Sequence, residues 1–296
     1  MTDFLTTREL ADLLRVKERK IYDLVAKGAL PVRRVTGKLL FPRAEIATWM
    51  GTAAARPDEA RVEAGAPDRQ LPLVMTGGHD PLLEWSLRAS GSGIAAFLDG
   101  ALDGLRRAEV GECIAAGLHI PEDDGWNARS VAARLGHEPW VLVGWVKRRR
   151  GLVIGRDPIR RPTCLRDVRG LRFQGRQATA GSELVLDRLL ARENLRRDDL
   201  RFVPGVERSE LDLAQAIATG RAEVGLGIAA AARQFDLDFE PLIEERFDLL
   251  VWRRAWFDPP FQTFLSFCRS PAFAAKAAEM GGYDVSEMGV VRFNGA

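Results

Sequence analysis

The sequence predicts a mixed α/β protein in two parts, a small helical unit with a hairpin and a large domain with a mainly parallel sheet. Three observations predict this fold class. Two short amphipathic helices and a hairpin pattern fill the first 50 residues, and residues 51–70 contain almost no large apolar side chain. From Leu71 onward, short apolar runs alternate with amphipathic helical patterns. Such alternation is typical of domains in which helices cover a largely parallel sheet.

The composition excludes several classes of protein. Of the 296 residues, 46% are hydrophobic and 28% are charged, values that are ordinary for a globular protein of about two domains. The apolar runs are too short to cross a bilayer, and the first ten residues lack the basic start and apolar core of a signal peptide. The three cysteines and three histidines show no metal-ligand spacing. We therefore expect a cytoplasmic protein with no membrane segment, no metal, no catalytic set and no bound cofactor.

Basic residues are concentrated at the start of the chain. Residues 1–50 contain ten Lys and Arg against six Asp and Glu, whereas the remainder contains 33 against 35. A local basic excess is typical of nucleic-acid-binding domains. The first 50 residues are therefore the expected binding site for double-stranded DNA.

The order of elements in these 50 residues is helix, turn, helix and hairpin. Thr6 followed by Glu9 has the form of a capping box in front of a first amphipathic helix. A second amphipathic helix follows, for which Gly28 offers a C-terminal stop. The runs VRRV and KLLF then predict a hairpin, and a third helix should open on Pro42.

The first 50 residues resemble the winged helix-turn-helix of the excisionase and MerR type, through the segment LTTRELADLLRVKERKIYDLVAKGALPVRRVTGKLLFPRAEIATWM. In that family the second helix enters the major groove and the wing reaches nearby phosphates or the minor groove. The resemblance implies DNA-binding residues in two groups: Lys17, Arg19, Lys20 and Tyr22 on or near the second helix, and Arg33, Arg34 and Lys38 in the wing. Arginine can pair with guanine edges, whereas lysine acts mainly as a phosphate-seeking charge. The alternative is a solvated basic face on a small helical domain.

Residues 51–70 are predicted to be a linker because they are rich in Ala, Gly, Pro and charge. Residues 71–296 carry enough strands and helices for two lobes. The two longest apolar runs, PWVLVGWVKRRRGLVIG and FEPLIEERFDLLVWRR, are predicted to cross between these lobes as hinge segments. The run of arginines at residues 148–150 is expected to be a solvated strand end.

Residues 71–293 resemble the type II periplasmic-binding-protein fold in its cytoplasmic, molybdate-binding-like regulator form. The resemblance is carried by GGHDPLLEW, SGSGIAAFLDG, AAGLHIPEDD, GRQATAGSELVLDRLL and LIEERFDLLVWRRAWFDPPFQ. It implies a two-lobed domain with a ligand cleft, and molybdate or tungstate as the effector. The ligand motifs of the bacterial molybdate and tungstate transport proteins are not found in this sequence.

Four stretches are candidates for the ligand site if its groups come from loops at the carboxyl ends of strands. Glycine and hydroxyl residues at such positions let backbone N–H groups and hydroxyls converge on one anion. The candidate residues are His79 and Asp80 in the first stretch, Ser90, Gly91 and Ser92 in the second, His119 in the third, and Arg176, Gln177, Thr179, Ala180, Gly181 and Ser182 in the fourth. Arg176 is the one cation of this set and suits an oxyanion, unless it faces solvent.

Residues 178–182, ATAGS, run directly into a helical pattern. The opening turn of a helix has N–H groups without intrahelical partners and a partial positive charge, so small residues there let an anion approach. The alternative is that Thr179 or Ser182 is an N-cap that needs no ligand. In the first stretch, we expect Asp80 to cap the next helix and His79 to lie near the cleft as a donor. His119 is either a ligand group or a buried histidine with a protein partner.

The sequence therefore predicts a homodimeric transcription regulator that binds DNA through residues 4–50 and senses a small oxyanion in the cleft of residues 71–296. One alternative is an enzyme or accessory protein of molybdenum-cofactor metabolism, although no acid, base and nucleophile set has recognisable spacing. Another is an excisionase-like architectural factor whose second domain does not respond to ligand. The pattern GSGIAA does not indicate a dinucleotide site, because a helix and not a strand is predicted before it.

Overall fold

The computed structural model describes residues 4–14, 16–26, 30–35, 38–46, 69–156 and 161–296. The chain divides into two compact units, residues 1–70 and residues 71–296. Gly28, proposed as a helix stop, and residues 51–68 of the predicted linker lie outside the described residues. No helix in the described part of the chain is long and apolar enough to cross a membrane.

The first unit packs two helices against a small antiparallel sheet. Its elements are β1 (Phe4–Leu5), α1 (Thr7–Leu14), α2 (Glu18–Ala26), β2 (Arg33–Val35) and β3 (Lys38–Pro42). Strand β3 lies in the middle and pairs with both β1 and β2. Leu10, Ile21 and Phe41 are fully buried in the core between these elements. Pro42 ends β3, and the helical residues 43–46 follow it, one residue later than the sequence predicts.

Helix α1 begins with the predicted capping box. The Thr6 hydroxyl accepts the N–H of Glu9 at 3.3 Å, and the Glu9 carboxylate accepts the N–H of Thr6 at 2.8 Å. Two donors at the helix start are thereby satisfied. The order of two helices followed by a hairpin is confirmed.

The second unit is built around a ten-stranded mixed sheet, in whose described residues four strand pairings are parallel and five are antiparallel, so the expectation of a mainly parallel sheet is wrong. Its strands are β4 (Val74–Gly77), β5 (Ala95–Phe97), β6 (Ala115–Leu118), β9 (Trp140–Ile154), β10 (Arg172–Gln174), β11 (Arg201–Phe202), β12 (Val224–Ile228), β13 (Asp238–Trp252), β14 (Tyr283–Asp284) and β15 (Val291–Asn294), and a separate hairpin consists of β7 (Pro121–Glu122) and β8 (Gly125–Trp126). The helices are α3 (Pro81–Ala89), α4 (Ala101–Val110), α5 (Ala128–Leu135), α6 (Gly181–Arg192), α7 (Glu210–Ala218), α8 (Ala229–Gln234), α9 (Arg253–Phe257), α10 (Pro259–Cys268) and α11 (Pro271–Met280). The strand order is β11-β10-β12-β9-β13-β6-β4-β5, with β14 and β15 paired to β9.

Separate hydrophobic cores divide this unit into two lobes. In the first lobe, β4 pairs in parallel with β5 and β6, and the core includes the opening half of β9 and the closing half of β13. In the second lobe, β10 pairs in parallel with β11 and β12. Leu152 and Ile154 of β9 belong to a hydrophobic core of this lobe. Strands β9 and β13 are antiparallel over nearly their whole length. Both strands therefore cross between the lobes.

The charged middle segments of these two strands lie at the crossing. Arg148 is paired with Glu245 and Arg149 with Glu244 in the ladder. Because side chains alternate along a strand, Arg148 and Arg150 share one face. They are 1% and 0% exposed, whereas Arg149 is exposed. The expectation of a solvated strand end is therefore wrong for Arg148 and Arg150, which buried carboxylates neutralise.

Candidate ligand site between the lobes and candidate DNA-binding surface

Asp80 follows β4 and is the N-cap of α3. Its Oδ1 accepts the N–H of Leu83 at 2.8 Å, and Pro81 occupies the first helical turn, where an N–H would have no intrahelical partner. The predicted cap is confirmed. Its Oδ2 accepts hydrogen bonds from Nη1 of Arg148 at 2.8 Å and from the Tyr283 hydroxyl at 2.9 Å. One buried carboxylate thus joins α3 to a crossing strand and to β14.

His79 bridges the two lobes. Its Nδ1 accepts the backbone N–H of Glu210, the first residue of α7, at 3.1 Å. Because an accepting Nδ1 carries no proton, this geometry assigns the neutral tautomer with hydrogen on Nε2. Nε2 donates to the Glu84 carboxylate at 3.2 Å, and this hydrogen bond lowers the pKa of Glu84 to about 2.

His119 follows β6 and is buried between two glycines. A Cβ added to Gly78 would lie 2.7 Å from the His119 ring, and one added to Gly181 would lie 2.6 Å from the His119 carbonyl oxygen. The ring stacks on Phe247 with centroids 5.6 Å apart, and Nδ1 lies 3.3 Å from Oε2 of Glu245. Burial lowers the pKa of His119 to about 4, so the neutral ring donates from Nδ1. His119 is thus a buried histidine with a protein partner at the lobe interface.

Six buried ionisable side chains form an interlobe ion cluster. The members, each at most 4% exposed, are Asp80, Arg148, Arg150, Arg176, Glu210 and Glu245. Arg148 and Arg150 of β9 both donate from Nε to Glu245, Arg150 at 2.8 Å. Nη2 of Arg150 also donates to Oε1 of Glu210 at 2.7 Å. Three guanidinium groups face three carboxylates, so the cluster is formally neutral.

The arginines keep the Glu210 and Glu245 carboxylates of the cluster ionised. Burial alone would raise the pKa of Glu210, but Arg150 and Arg176 outweigh burial and hold that pKa at about 2. Burial likewise opposes ionisation of Glu245, and Arg148 and Arg150 keep its pKa well below the usual range. A buried ion set of this kind is stable only while every member keeps its partner.

Arg176 is held by the second lobe and does not face solvent. It is 4% exposed, and it donates to the carbonyl oxygens of Glu207 and Arg208, each at 3.0 Å. Its Nη1 lies 3.0 Å from Oε1 of Glu210 but is not aligned for a hydrogen bond. The solvent-facing alternative for Arg176 is therefore wrong.

Gln177 and Thr179 connect the second lobe to the loop after β5. Nε2 of Gln177 and Oγ1 of Thr179 both donate to the carbonyl oxygen of Asp99, at 3.2 and 3.1 Å. The Thr179 carbonyl accepts the N–H of Leu102 at 3.1 Å. Thr179 is therefore engaged with the first lobe, and Ala180 occupies the N-cap position of α6 without a side-chain hydrogen bond. The capping alternative is wrong for Thr179.

The opening turn of α6 holds unpartnered donors. Ser182 is 1% exposed, and its Oγ has no hydrogen-bond partner among the described residues. It caps nothing, so the capping alternative is wrong for Ser182 as well. Among the described residues, the N–H groups of Gly181 and Ser182 make no hydrogen bond. We call this turn the α6 site; it has the donors that an anion at a helix N-terminus binds.

Ser90, Gly91 and Ser92 lie away from the α6 site. They follow α3 and precede β5, so they stand at the amino end of that strand. The two serine hydroxyls serve a local turn, bonding to the Leu87 carbonyl and accepting the N–H of Ile94. The expectation that this stretch follows a strand is wrong, because the preceding segment PLLEWSLRA is helical. The carboxyl end of β5 leads instead to Asp99, which contacts the second lobe.

Sequence reasoning did not place several buried or partly buried polar groups at the lobe interface. They are Asp99, Arg148, Arg150, Glu210, Glu245 and Tyr283. The available signal was charge complementarity, since RRR on one crossing run pairs with EER on the other.

The predicted DNA-binding residues lie on α2 and on the hairpin. Arg19, Lys20 and Tyr22 are exposed on α2, and Lys17 is exposed just before it. In the hairpin, Arg33 of β2 and Lys38 of β3 are exposed, while the side chain of Arg34 is outside the described part. Nη2 of Arg33 lies 2.8 Å from Oε1 of Glu45. The positive charge of Arg33 is therefore partly neutralised by Glu45 within the first unit.

Comparisons with known proteins agree with this architecture. Residues 84–269 match the family described as PBP superfamily domain, and residues 4–53 match a helix-turn-helix domain. The chain is 25% identical over 304 residues to the uncharacterized protein YvgK of Bacillus subtilis strain 168, with 98% of each chain covered. Over 84 residues it is 31% identical to an uncharacterized protein from the 5′ region of a ferredoxin gene of Clostridium pasteurianum, covering 28% of this chain and 74% of that one.

A solved structure shares the fold of the second unit. It is that of a protein described as a phosphate ABC transporter substrate-binding protein from Clostridium perfringens, with bound phosphate. The likeness covers 73% of this chain and 98% of that one, with a TM-score of 0.52 and 9% identity, and it shows the fold alone. The predicted fold class, a helix-turn-helix unit followed by a periplasmic-binding-protein-like α/β domain, is confirmed. Because the family match spans more than half of the chain, the protein belongs to the PBP superfamily and carries a helix-turn-helix domain at its start.

Proposed function

We propose that the protein is a transcription regulator that binds double-stranded DNA through its first unit and a small oxyanion at the α6 site. The combination of a helix-turn-helix domain with a PBP-like domain supports this division of roles. The observation that carries the oxyanion is the Ser182 hydroxyl, which is buried and has no partner among the described residues, in a helix turn where the N–H groups of Gly181 and Ser182 also lack acceptors within that part of the chain.

The unpartnered groups favour an acceptor-rich ligand. Nη2 of Arg148 is another buried donor without a partner among the described residues, and Nε of Arg148 bonds Glu245, which also accepts from His119 beside Gly181. A buried donor without an acceptor costs about 1–3 kcal/mol, and a ligand that supplies the acceptor recovers this cost. Because the interlobe ion cluster is neutral, the helix N-terminus provides the electrostatic attraction for an anion.

We propose molybdate or tungstate as the effector. The sequence motifs that resemble molybdate-binding-like regulators support this choice, and a tetrahedral dianion offers four oxygens to the donors of the α6 site. Phosphate, which the Clostridium perfringens protein holds, is the natural competitor for the test.

The lobe contacts suggest how a ligand acts on the rest of the protein. His79, Gln177 and Thr179 each join one lobe to the other by hydrogen bonds. A ligand among these groups changes the relative free energy of closed and open lobes. We propose that this change repositions the DNA-binding units of a homodimer, which couples effector binding to DNA affinity.

Calorimetric titration tests the site. We expect molybdate or tungstate to bind the wild-type protein more tightly than sulfate, phosphate or succinate do. Ser182→Asp should lower the affinity at least tenfold, because each unit of like charge at close range costs on the order of 1 kcal/mol. Ser182→Ala should lower it less, and Ser90→Ala is the control that should leave it unchanged. Equal affinity in the wild type and Ser182→Asp would remove the α6 site from the proposal.

A further inference from the structure

A crevice lies between the lobes, separate from the α6 site. It has a volume of about 490 Å³ and is lined by α3 of the first lobe, by α7 and α8 of the second, and by α11. Small-molecule sites commonly have volumes of about 300–1,000 Å³. None of the residues predicted to bind the oxyanion lines this crevice. It is therefore a distinct candidate site.

The cations of the crevice are not all neutralised. Arg88 pairs with Glu84 at 2.8 Å, and Lys276 pairs with Glu279 at 2.7 Å. For Arg233, no carboxylate among the described residues lies within ion-pair distance. The lining therefore holds three cations against two carboxylates, and the positive charge in excess belongs to Arg233.

An indole ring provides an apolar wall. Trp85 is partly exposed, and its ring centroid lies 5.3 Å from that of Phe267. Nζ of Lys276 lies 6.0 Å from the centroid of the Trp85 ring. Leu211 and Met280 add apolar surface to the lining. A flat apolar group can stack on such a ring, and a carboxylate can pair with a guanidinium group at the same time.

We propose that this crevice is a second small-molecule site that takes monocarboxylates with a flat apolar body, the carboxylate on Arg233 and the ring against Trp85. The occupant has a direct connection to the lobe interface. Glu84 lines the crevice and accepts from His79, whose Nδ1 accepts the N–H of Glu210 in the other lobe.

Calorimetric titration of the full-length protein with phenylacetate tests this proposal. We expect a Kd below about 1 mM, corresponding to roughly 4 kcal/mol of binding free energy. Phenylacetamide, which lacks the charge, and acetate, which lacks the ring, should each bind at least tenfold more weakly. A Kd for phenylacetate above about 1 mM would overturn the proposal.

Two variants of the crevice test whether phenylacetate binds there. Arg233→Gln, at an exposed position that does not enter the core, should weaken phenylacetate binding at least tenfold, and Trp85→Leu should do the same. Arg196→Gln, whose side chain is 82% exposed elsewhere in the second lobe, is the matched control and should bind as the wild type does. Undiminished binding by Arg233→Gln would overturn the proposal. Loss of phenylacetate binding in Ser182→Asp would also overturn it, because the probe would then occupy the α6 site; the oxyanion proposal is tested independently of this result.

Discussion

The backbone N–H of Glu210 donates a 3.1 Å hydrogen bond to Nδ1 of His79, and this bond joins the second lobe to the first. The accepting nitrogen belongs to a neutral ring whose other nitrogen is held by Glu84. The bond therefore depends on both the tautomer of His79 and the position of α7. It makes the lobe interface sensitive to changes in groups that are far apart in the sequence.

Replacing His79 should destabilise the second unit. In His79→Ala the buried N–H of Glu210 loses its acceptor, so the free energy of unfolding should fall by about 1–3 kcal/mol. Urea denaturation measures this change, and hydrogen exchange at the Glu210 amide should become faster. His137→Ala is the control, because the His137 side chain is 65% exposed. Equal stability of both variants and the wild type would show that the hydrogen bond does not hold the lobes.

Adjacent glutamates on β13 should differ sharply in their effects. Glu245→Gln leaves two buried arginines without their shared carboxylate, and breaking a buried ion set costs about 3–5 kcal/mol. Glu244→Gln changes an exposed side chain one residue away and should cost less than about 1 kcal/mol. Urea denaturation of the two variants measures the difference. Similar losses in both would contradict the interlobe ion cluster as described.

Stability should fall in mild acid because of His119. Burial lowers the pKa of His119 from 6.5 to about 4, so the unfolded chain takes up the proton first as the pH falls. The stability contributed by the neutral ring is complete above about pH 6.5 and is lost as the pH falls to about 4. The loss is on the order of 3 kcal/mol, at 1.36 kcal/mol per pKa unit. The carboxylates of Glu84 and Glu210, with pKa values of about 2, lose their contribution at lower pH, from about 4.5 downward.

Urea denaturation at a series of pH values separates the His119 contribution. His119→Gln should lose less stability than the wild type between about pH 6.5 and pH 4.5, because glutamine does not titrate. His137→Gln, at an exposed position, should follow the wild-type curve. Parallel curves for His119→Gln and the wild type would contradict the assigned role of this ring.

DNA binding should respond differently to residues of α2 and of the hairpin. Lys38→Ala should lower the salt slope of binding by about one charge and leave sequence preference intact, as expected for a phosphate contact. Arg19→Ala should weaken binding to the preferred sequence more than to others, as expected for a base contact. Binding assays at several salt concentrations, with Arg196→Ala as control, measure both effects. Uniform weakening on every sequence in Arg19→Ala would contradict base reading by Arg19.

Local sequence patterns predict much of this architecture. Thr6 and Glu9 form their capping box, Asp80 caps α3, and the two longest apolar runs become the strands that cross between the lobes. Each of these features depends on neighbouring residues or on the period of a single run. Short-range chemistry is therefore sufficient to predict them.

The expectations that the structure overturns depend on the three-dimensional arrangement of elements, which local sequence patterns do not show. Ser90 to Ser92 have the composition of a strand-end loop, but glycine and serine do not show whether a loop precedes or follows a strand. The sequence does not predict the burial of Arg148 and Arg150 because their carboxylate partners, on β13, on α7 and just before α3, lie 60 to 97 residues away in the chain. Only the folded sheet brings Glu245 to both arginines.

The most direct test of the account is the DNA affinity of the full-length protein with and without saturating molybdate, for the wild type and for Ser182→Asp. The DNA is a fragment that the protein selects from a random pool. We expect molybdate to change the affinity of the wild type at least fivefold, the lower end of common coupling free energies, and to leave that of Ser182→Asp unchanged. Without ligand, the two proteins should bind DNA equally. Calorimetric binding of molybdate without any change in DNA affinity of the wild type would contradict the proposed coupling, and an equal response of Ser182→Asp would contradict the α6 site.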